Sequence, residues 1–371
     1  MKILLTGGGS GGHIMPLIAV ARELKRLHQQ EDLQLHYIGP HDRLAFFLLH
    51  QESVKTHAIL GGKLRRYFSL ANIVDILFKI PFSFLQSFFL LLFIQPQLVF
   101  SKGGTGTLAV TWCARMLLIP VFIHESDIVP GRSNRVASAF AKKIFISFEK
   151  TEYFDLTKTI LTGNPIRKEL LEGTHEGAEE TLGLVLKKPV VMFYGGSQGS
   201  QPINDFVLEI LGQLLQNYEV IHVCGTQNFK QVKSEADAIL NKGLAPYYHL
   251  YESLDEIKLK HAYKAASLLV ARAGASSIFE IAAAGKPSIL IPLPEAAGDH
   301  QSKNAYQYAK EGAAVIIEQQ NLTPNFFMGQ IQNIVANPQK SQVMQEAALR
   351  FAKPLAAKAI AREILEYLVK P

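Results

Sequence analysis

A chain of 371 residues that is 48% hydrophobic and 19% charged has apolar surface for two packed cores, which excludes a disordered chain, and its net charge of +6 suits an anionic partner. The one basic cluster, Lys63, Arg65 and Arg66, is short and no Lys/Arg run interleaves with aromatics, so nucleic acid is not indicated. Cys113 and Cys224 lie far apart without a His or Cys at metal-ligand spacing; neither zinc nor a disulfide framework is supported, and sparse thiols fit a reducing compartment.

Short apolar runs alternate with helical patterns along the chain, the mark of βαβ units and a parallel sheet. The opening MKILLTGGGSGGH predicts a strand over 2–6, a glycine-rich turn at 7–12 and a helix over 15–28; its apolar run is too short for a signal peptide. Strands follow at 35–38, 98–101, 120–124 and 143–147. The longest apolar stretch is IPFSFLQSFFLLLFI at 80–94. It falls short of the roughly 20 residues that span a bilayer, and Pro81, Ser83, Gln86 and Ser87 interrupt it, so no transmembrane helix is predicted. A boundary is expected near Gly163, before Asn164-Pro165, and the polar stretch 172–180 reads as surface loop. The pattern restarts with a strand over 189–194, Gly195-Gly196-Ser197-Gln198-Gly199 and a helix over 204–216, then strands at 220–224, 268–271 and 288–292. An amphipathic helix over 356–369 either completes the second domain or packs back on the first. The expectation is an α/β chain of two doubly wound domains, 1–162 and 163–371.

Three turns carry chemistry. Glycines after a strand and before a helix leave backbone N–H groups and the positive helix end facing a ligand. The first turn, Thr6 to His13, lacks both the spacing of a dinucleotide site and the lysine of a nucleotide P-loop. His13 at its mouth is either a capping or packing residue or a group that accepts a proton from an attacking hydroxyl near neutral pH. The second turn is 195–199; two such turns suit a diphosphate donor and a second phosphorylated partner. The third and most specific is ARAGASSIFEIAAAGKP at 271–287. There the N–H groups of Ala275, Ser276 and Ser277 can hold a phosphate, and Glu280, one turn inside, can accept from two ribose hydroxyls. A charge among such small apolar neighbours needs a partner. Residues 298–305 are polar enough to read sugar hydroxyls, while Asp299 and His300 lack a third metal ligand at fixed spacing.

The motifs GGSGGH at 8–13, GGTGT at 103–107, HESD and GRSNR within 124–135, GNPIR at 163–167, GGSQG at 195–199, RAGASSIFEIAAAGKP at 272–287 and DHQSKNA at 299–305 resemble, in order and over nearly the whole chain, the MurG family of bacterial peptidoglycan GlcNAc-transferases. That family has the GT-B fold, two Rossmann-like domains facing across a cleft. The resemblance implies inverting transfer of GlcNAc from UDP-GlcNAc to the MurNAc 4-hydroxyl of lipid I, giving lipid II and UDP. It implies no cofactor and no metal, a peripheral place on the cytoplasmic face of the cell membrane, and a role in peptidoglycan synthesis and cell division. Donor contacts are implied for Arg167, Ser197 and Ala275, Ser276 and Ser277 (diphosphate), Glu280 (ribose), Leu254 (uracil) and Gln301 (GlcNAc), with Ile278 and Phe279 in the same helical stretch. Ser10, Gly11, Gly12 and His13 would face the acceptor and the reacting carbon, with Gly104, Thr105 and Asn134 on the acceptor.

Some positions depart from the family pattern. HEQN is His124-Glu125-Ser126-Asp127 here, so an Asp stands where an Asn lies near the donor; Asp127 joins His13 as a candidate base, with Glu125 a third. Thr105-Gly106-Thr107 and Ser276-Ser277 also differ. The apolar stretch 73–94, flanked by Lys63, Arg65, Arg66 and Lys79, would dock on an anionic membrane through Phe82, Phe84 and Phe88, with part of the run in the core. The competing readings are another UDP-sugar:lipid transferase, a UDP-GlcNAc epimerase and a non-catalytic sugar-nucleotide binder.

Overall fold

The computed structural model describes residues 1–8, 11–30, 32–61, 75–149, 153–196 and 198–369. Ser10, Ser197, Lys63, Arg65, Arg66 and the start of the 73–94 stretch lie outside the described residues. The chain divides into two compact units, Met1–Arg167 with Lys353–Pro371, and Lys168–Ala352. The division falls just past Gly163, and the last segment returns to the first unit.

In the first unit, β1 (Lys2–Thr6), β2 (Gln34–Pro40), β3 (Lys55–Ile59), β4 (Leu98–Ser101), β5 (Val121–Glu125), β6 (Lys143–Ile146) and β7 (Thr159–Leu161) form one parallel sheet ordered β3-β2-β1-β4-β5-β6-β7. Its helices are α1 (Gly11–Leu27), α2 (Arg43–Gln51), α3 (Ile80–Ile94), α4 (Thr107–Met116) and α5 (Arg132–Ser138). Strand side chains alternate faces, so Ile3 and Leu5 enter the core shared with α1 and α2, and Leu4 the core shared with α3, α4 and α5. The last helix, Ala356–Val369, adds Ala357, Ile360, Ala361 and Ile364 to the first of these cores, and its Tyr367 ring lies 5.0 Å from Phe122. Strand order reverses between β1 and β4, which opens a crevice at the carboxyl ends of these strands. Among the described residues, no helix is long and apolar enough to cross a membrane.

In the second unit, β8 (Val190–Tyr194), β9 (Glu219–Val223), β10 (Tyr248–Tyr251), β11 (Ala266–Ala271), β12 (Ser288–Leu290) and β13 (Ala314–Ile316) are again parallel, ordered β10-β9-β8-β11-β12-β13. The reversal lies between β8 and β11. The helices are α6 (His175–Leu182), α7 (Gln201–Asn217), α8 (Phe229–Ile239), α9 (Glu256–Ala265), α10 (Ala275–Ala283), α11 (His300–Lys310), α12 (Pro324–Val335) and α13 (Pro338–Phe351). The stretch read as loop at 172–180 is largely α6. Thr174 caps it by accepting from Gly177 N at 2.9 Å, and Ala178 and Leu182, one turn apart, are enough to seat one face in the core.

Candidate functional site

In the first unit the loops leaving β1, β4 and β5 meet. Gly8 N donates to Gly103 O at 2.9 Å, zipping the first two together. Gly104 has φ +99°, and a Cβ there would lie 2.8 Å from Gly8 N and 3.0 Å from His13 Nε2. Only glycine lets the loop turn this way and approach the imidazole so closely. His13 stands in the first turn of α1, beside Gly11 and Gly12, and that turn holds no acidic residue. The residue is half-buried. Burial first, and then the Lys102 ammonium, push His13 down to about 4, against the opposing pull of Asp127. The imidazole is therefore neutral at physiological pH.

The β5 end is a polar cluster. Glu125 is buried, and its carboxylate accepts from Asp127 N (3.1 Å), Gly131 N (3.0 Å) and Asn134 Nδ2 (2.9 Å). Burial and the neighbouring Asp127 push Glu125 upward while Lys102 pulls it down. Both oxygens being held, Glu125 shapes the loop and is not placed as a free base. Asn134, expected on the acceptor, is buried and donates through Nδ2 to Glu125 and to His124 O (3.0 Å). These bonds tie the GRSN turn at the start of α5 to the end of β5. Gly104 and Thr105 are partly exposed at the rim. His124 donates to Gly163 O at 3.0 Å, and burial holds it well below its ordinary value. Asp127 is partly exposed, and Arg167, buried, is the last residue before the chain leaves this unit.

In the second unit the loops leaving β8 and β11 meet in the same way. Gly199, with φ +75°, turns where a Cβ would collide with Cys224 O. Arg272, at the end of β11, is buried and ties the region together. It donates to Ile291 O and Pro292 O, both at 3.1 Å, and to Ser200 Oγ and Gln319 Oε1, both at 2.6 Å. The helix that follows, α10, starts at Gly274 with no side-chain cap and no acid in its first turn. Its amide dipoles are thus presented to an anion at Ala275, Ser276 and Ser277. Glu280 is buried and accepts from Tyr263 Oη at 2.9 Å, the partner its setting demanded. The side chains of Ile278 and Phe279, expected in the donor stretch, are buried. Ile278 sits in the core and Phe279 packs on Phe351 at 5.1 Å, because a helix presents one face and these two side chains lie on the other. Leu254 is half-buried before α9, and Gln301, in the first turn of α11, accepts from Leu293 N at 3.1 Å. Among the described residues, no group of three or more His, Cys, Asp or Glu is placed to hold a metal ion.

On α3, Phe82 is exposed, but Phe84 and Phe88 pack against the core. The outward stripe follows the 3.6-residue period instead: Phe82, Leu85, Phe89, Leu92 and Phe93, with Trp112 and Met116 exposed on the adjoining α4. Lys79 is not a free cation, since its Nζ pairs with Asp75 at 2.7 Å.

The sequence model of the glycosyltransferase family 28 N-terminal domain matches residues 3–146, and that of the family 28 C-terminal domain matches residues 190–360. The chain belongs to glycosyltransferase family 28. Within this family, it is 35% identical over 342 residues, 91% of each chain, to the UDP-N-acetylglucosamine–N-acetylmuramyl-(pentapeptide) pyrophosphoryl-undecaprenol N-acetylglucosamine transferase of Clostridium tetani. The crystal structure of MurG from Acinetobacter baumannii superposes with a TM-score of 0.72 at 25% identity, over 98% of this family 28 chain and 99% of that one. The UDP-GlcNAc 2-epimerase of Neisseria meningitidis, bound to UDP-GlcNAc, superposes at 0.70 with 16% identity over 99% and 100%. The family 28 fold alone therefore does not separate transferase from epimerase, whereas sequence identity does.

Lys102, Arg272 and Tyr263 are the site residues that sequence reasoning missed. Arg272 was visible at the head of the 272–287 motif, but Lys102 and Tyr263 carry no local signal of their role.

Proposed function

We propose that this chain transfers GlcNAc from UDP-GlcNAc to the 4-hydroxyl of MurNAc in lipid I, with inversion at the anomeric carbon, giving lipid II and UDP. The observation that carries this reading is the 35% identity over 91% of both chains to a relative bearing that activity in its name. In the reaction the bond from the sugar C1 to the UDP oxygen breaks as the bond to the acceptor oxygen forms, and the hydroxyl proton leaves to a base. His13 is the base we favour. It is neutral, stands at the start of α1 against the glycine loops of the first unit, and has Asp127 near enough to stabilise an imidazolium as it forms. The departing UDP gains negative charge, which the uncapped start of α10 is built to receive.

We further propose that the outward stripe of α3, with Trp112 and Met116 of α4, rests on the cytoplasmic face of the membrane that carries lipid I. Support comes from its apolar exposure at helical spacing beside the exposed Arg115.

The deciding experiment is transfer of labelled GlcNAc from UDP-GlcNAc to a lipid I analogue, with UDP-glucose and UDP-GalNAc as competitors and a chelator present. Selective, acceptor-dependent transfer supports the reading. Conversion of UDP-GlcNAc to its 2-epimer without acceptor would replace it with an epimerase, and UDP-GlcNAc binding without turnover would leave a sugar-nucleotide binder.

A further inference from the structure

Lys102 is 3% exposed, at the end of β4. Lysines are seldom buried this deeply, because an ammonium loses its hydration there and needs anions to offset the loss. Its backbone N–H continues the ladder by donating to Thr6 O at 2.8 Å, which fixes the residue beside the first glycine loop. Its Nζ donates to Ser126 Oγ, and Ser126 Oγ in turn donates to Asn164 Oδ1 at 3.0 Å. The charged and titratable groups that feel the ammonium are His13 from α1, His124 and Glu125 from β5, and Asp127 just beyond it. Arg132, at the start of α5, is exposed. Asp127 places a second acid two residues beyond Glu125. Lys102 supplies the matching positive charge from a different strand.

We propose that Lys102 is a positioning residue of the transfer reaction: anchored on Ser126, its buried ammonium balances the Glu125 and Asp127 carboxylates and keeps the His13 imidazole unprotonated, in the form that takes the acceptor's proton. This rests on the reading of His13 as the base. Three observations converge on it. The ammonium is held in place by hydrogen bonds at both its backbone and its tip. The carboxylate of Glu125 is fixed by three donors and cannot turn away. His13 lies against Gly8 and Gly104, where a Cβ would come within 3.2 Å of Nδ1 and 3.0 Å of Nε2, so the imidazole stands beside the loop that Lys102 begins. The depressed values of His13, near 4, and of Lys102, near 8, agree with this placement.

The test is Lys102→Met, with Lys102→Gln as a second variant should the first fold poorly, in the full-length chain. The His13 ring signal, assigned with His13→Gln, is titrated by NMR, and the acid limb of kcat is measured with UDP-GlcNAc and a lipid I analogue. The expected result is a His13 midpoint about one pH unit or more higher than in the native chain, with the acid limb of kcat moving by the same amount. Lys102→Met/Asp127→Asn should bring the midpoint back down, because the two charges act on His13 with opposite sign. A purely structural lysine lowers thermal stability and activity while leaving both midpoints in place, and that result overturns the proposal. A His13 midpoint that moves while the acid limb stays put overturns instead the assignment of His13 as the base.

Discussion

Tyr263→Phe removes one oxygen and leaves the rest of a fully buried side chain in place. The lost bond, 2.9 Å from Tyr263 Oη to Glu280 Oε2, is made to a carboxylate in a buried setting. Such bonds contribute about 1.5–3 kcal/mol. If Glu280 reads the ribose, the bond aims the carboxylate, and its loss should weaken UDP binding by roughly 10- to 100-fold. Because the ribose is remote from the reacting carbon, KM for UDP-GlcNAc should carry the effect and kcat should change little. Calorimetry with UDP and with its 2′,3′-dideoxy analogue gives the cleanest measurement. The native chain should prefer the ribonucleotide strongly, and the variant should lose most of that preference. A variant whose melting temperature falls while UDP affinity and ribose preference stay native would show that Tyr263 only satisfies a buried charge.

His13→Ala should lower turnover about 10²- to 10⁴-fold while UDP-GlcNAc affinity stays within a few-fold; equal loss of both would remove its catalytic assignment. Phe82→Ser with Phe89→Ser should reduce sedimentation with anionic vesicles by tenfold or so while transfer to a short-chain soluble acceptor persists. Phe84→Ser should instead lower the denaturation midpoint, since Phe84 packs inward. Burial pushes His222 down from its ordinary 6.5 to about 3. The folded chain keeps it neutral while the unfolded chain protonates it, so its contribution is intact above pH 6.5 and is lost as pH falls toward 3. By pH 5 the loss is about 2 kcal/mol at most, and urea titrations of His222→Gln should show a shallower acid slope than the native chain.

The strands legible in the sequence were the central ones. β1, β4, β5, β6, β8, β9, β11 and β12 each contain a short apolar run because both faces are covered, and β2 was also found. The four missed strands, β3, β7, β10 and β13, are the edges of the two sheets. Edge strands are half-exposed, and sequences such as Lys-Thr-His-Ala-Ile at β3 and Tyr-His-Leu-Tyr at β10 give no apolar run, while β13, Ala-Val-Ile, is apolar but only three residues long. The glycine turns were legible because strand, glycine and helix follow one another directly. Partnerships across the fold were not: Lys102 with Ser126, Arg272 with Ser200 and Gln319, and Tyr263 with Glu280 join positions that only the folded sheet brings together. Ile278, Phe279, Phe84 and Phe88 were placed in sites because each belongs to a contiguous motif, whereas a helix offers a ligand or membrane one face in turn.

The second unit is inserted into the first, between Arg167 and Lys353. On the ribosome this reverses the order of completion. The first unit is begun first, yet the core shared by α1 and β1 lacks Ala357, Ile360, Ala361 and Ile364 until all of the second unit has been made. The sheet of Lys168–Ala352 has every strand it needs by then and can close earlier. A nascent chain stalled before residue 353 would therefore hold a finished Lys168–Ala352 unit and an incomplete first unit, and a chaperone would find its apolar target on α1.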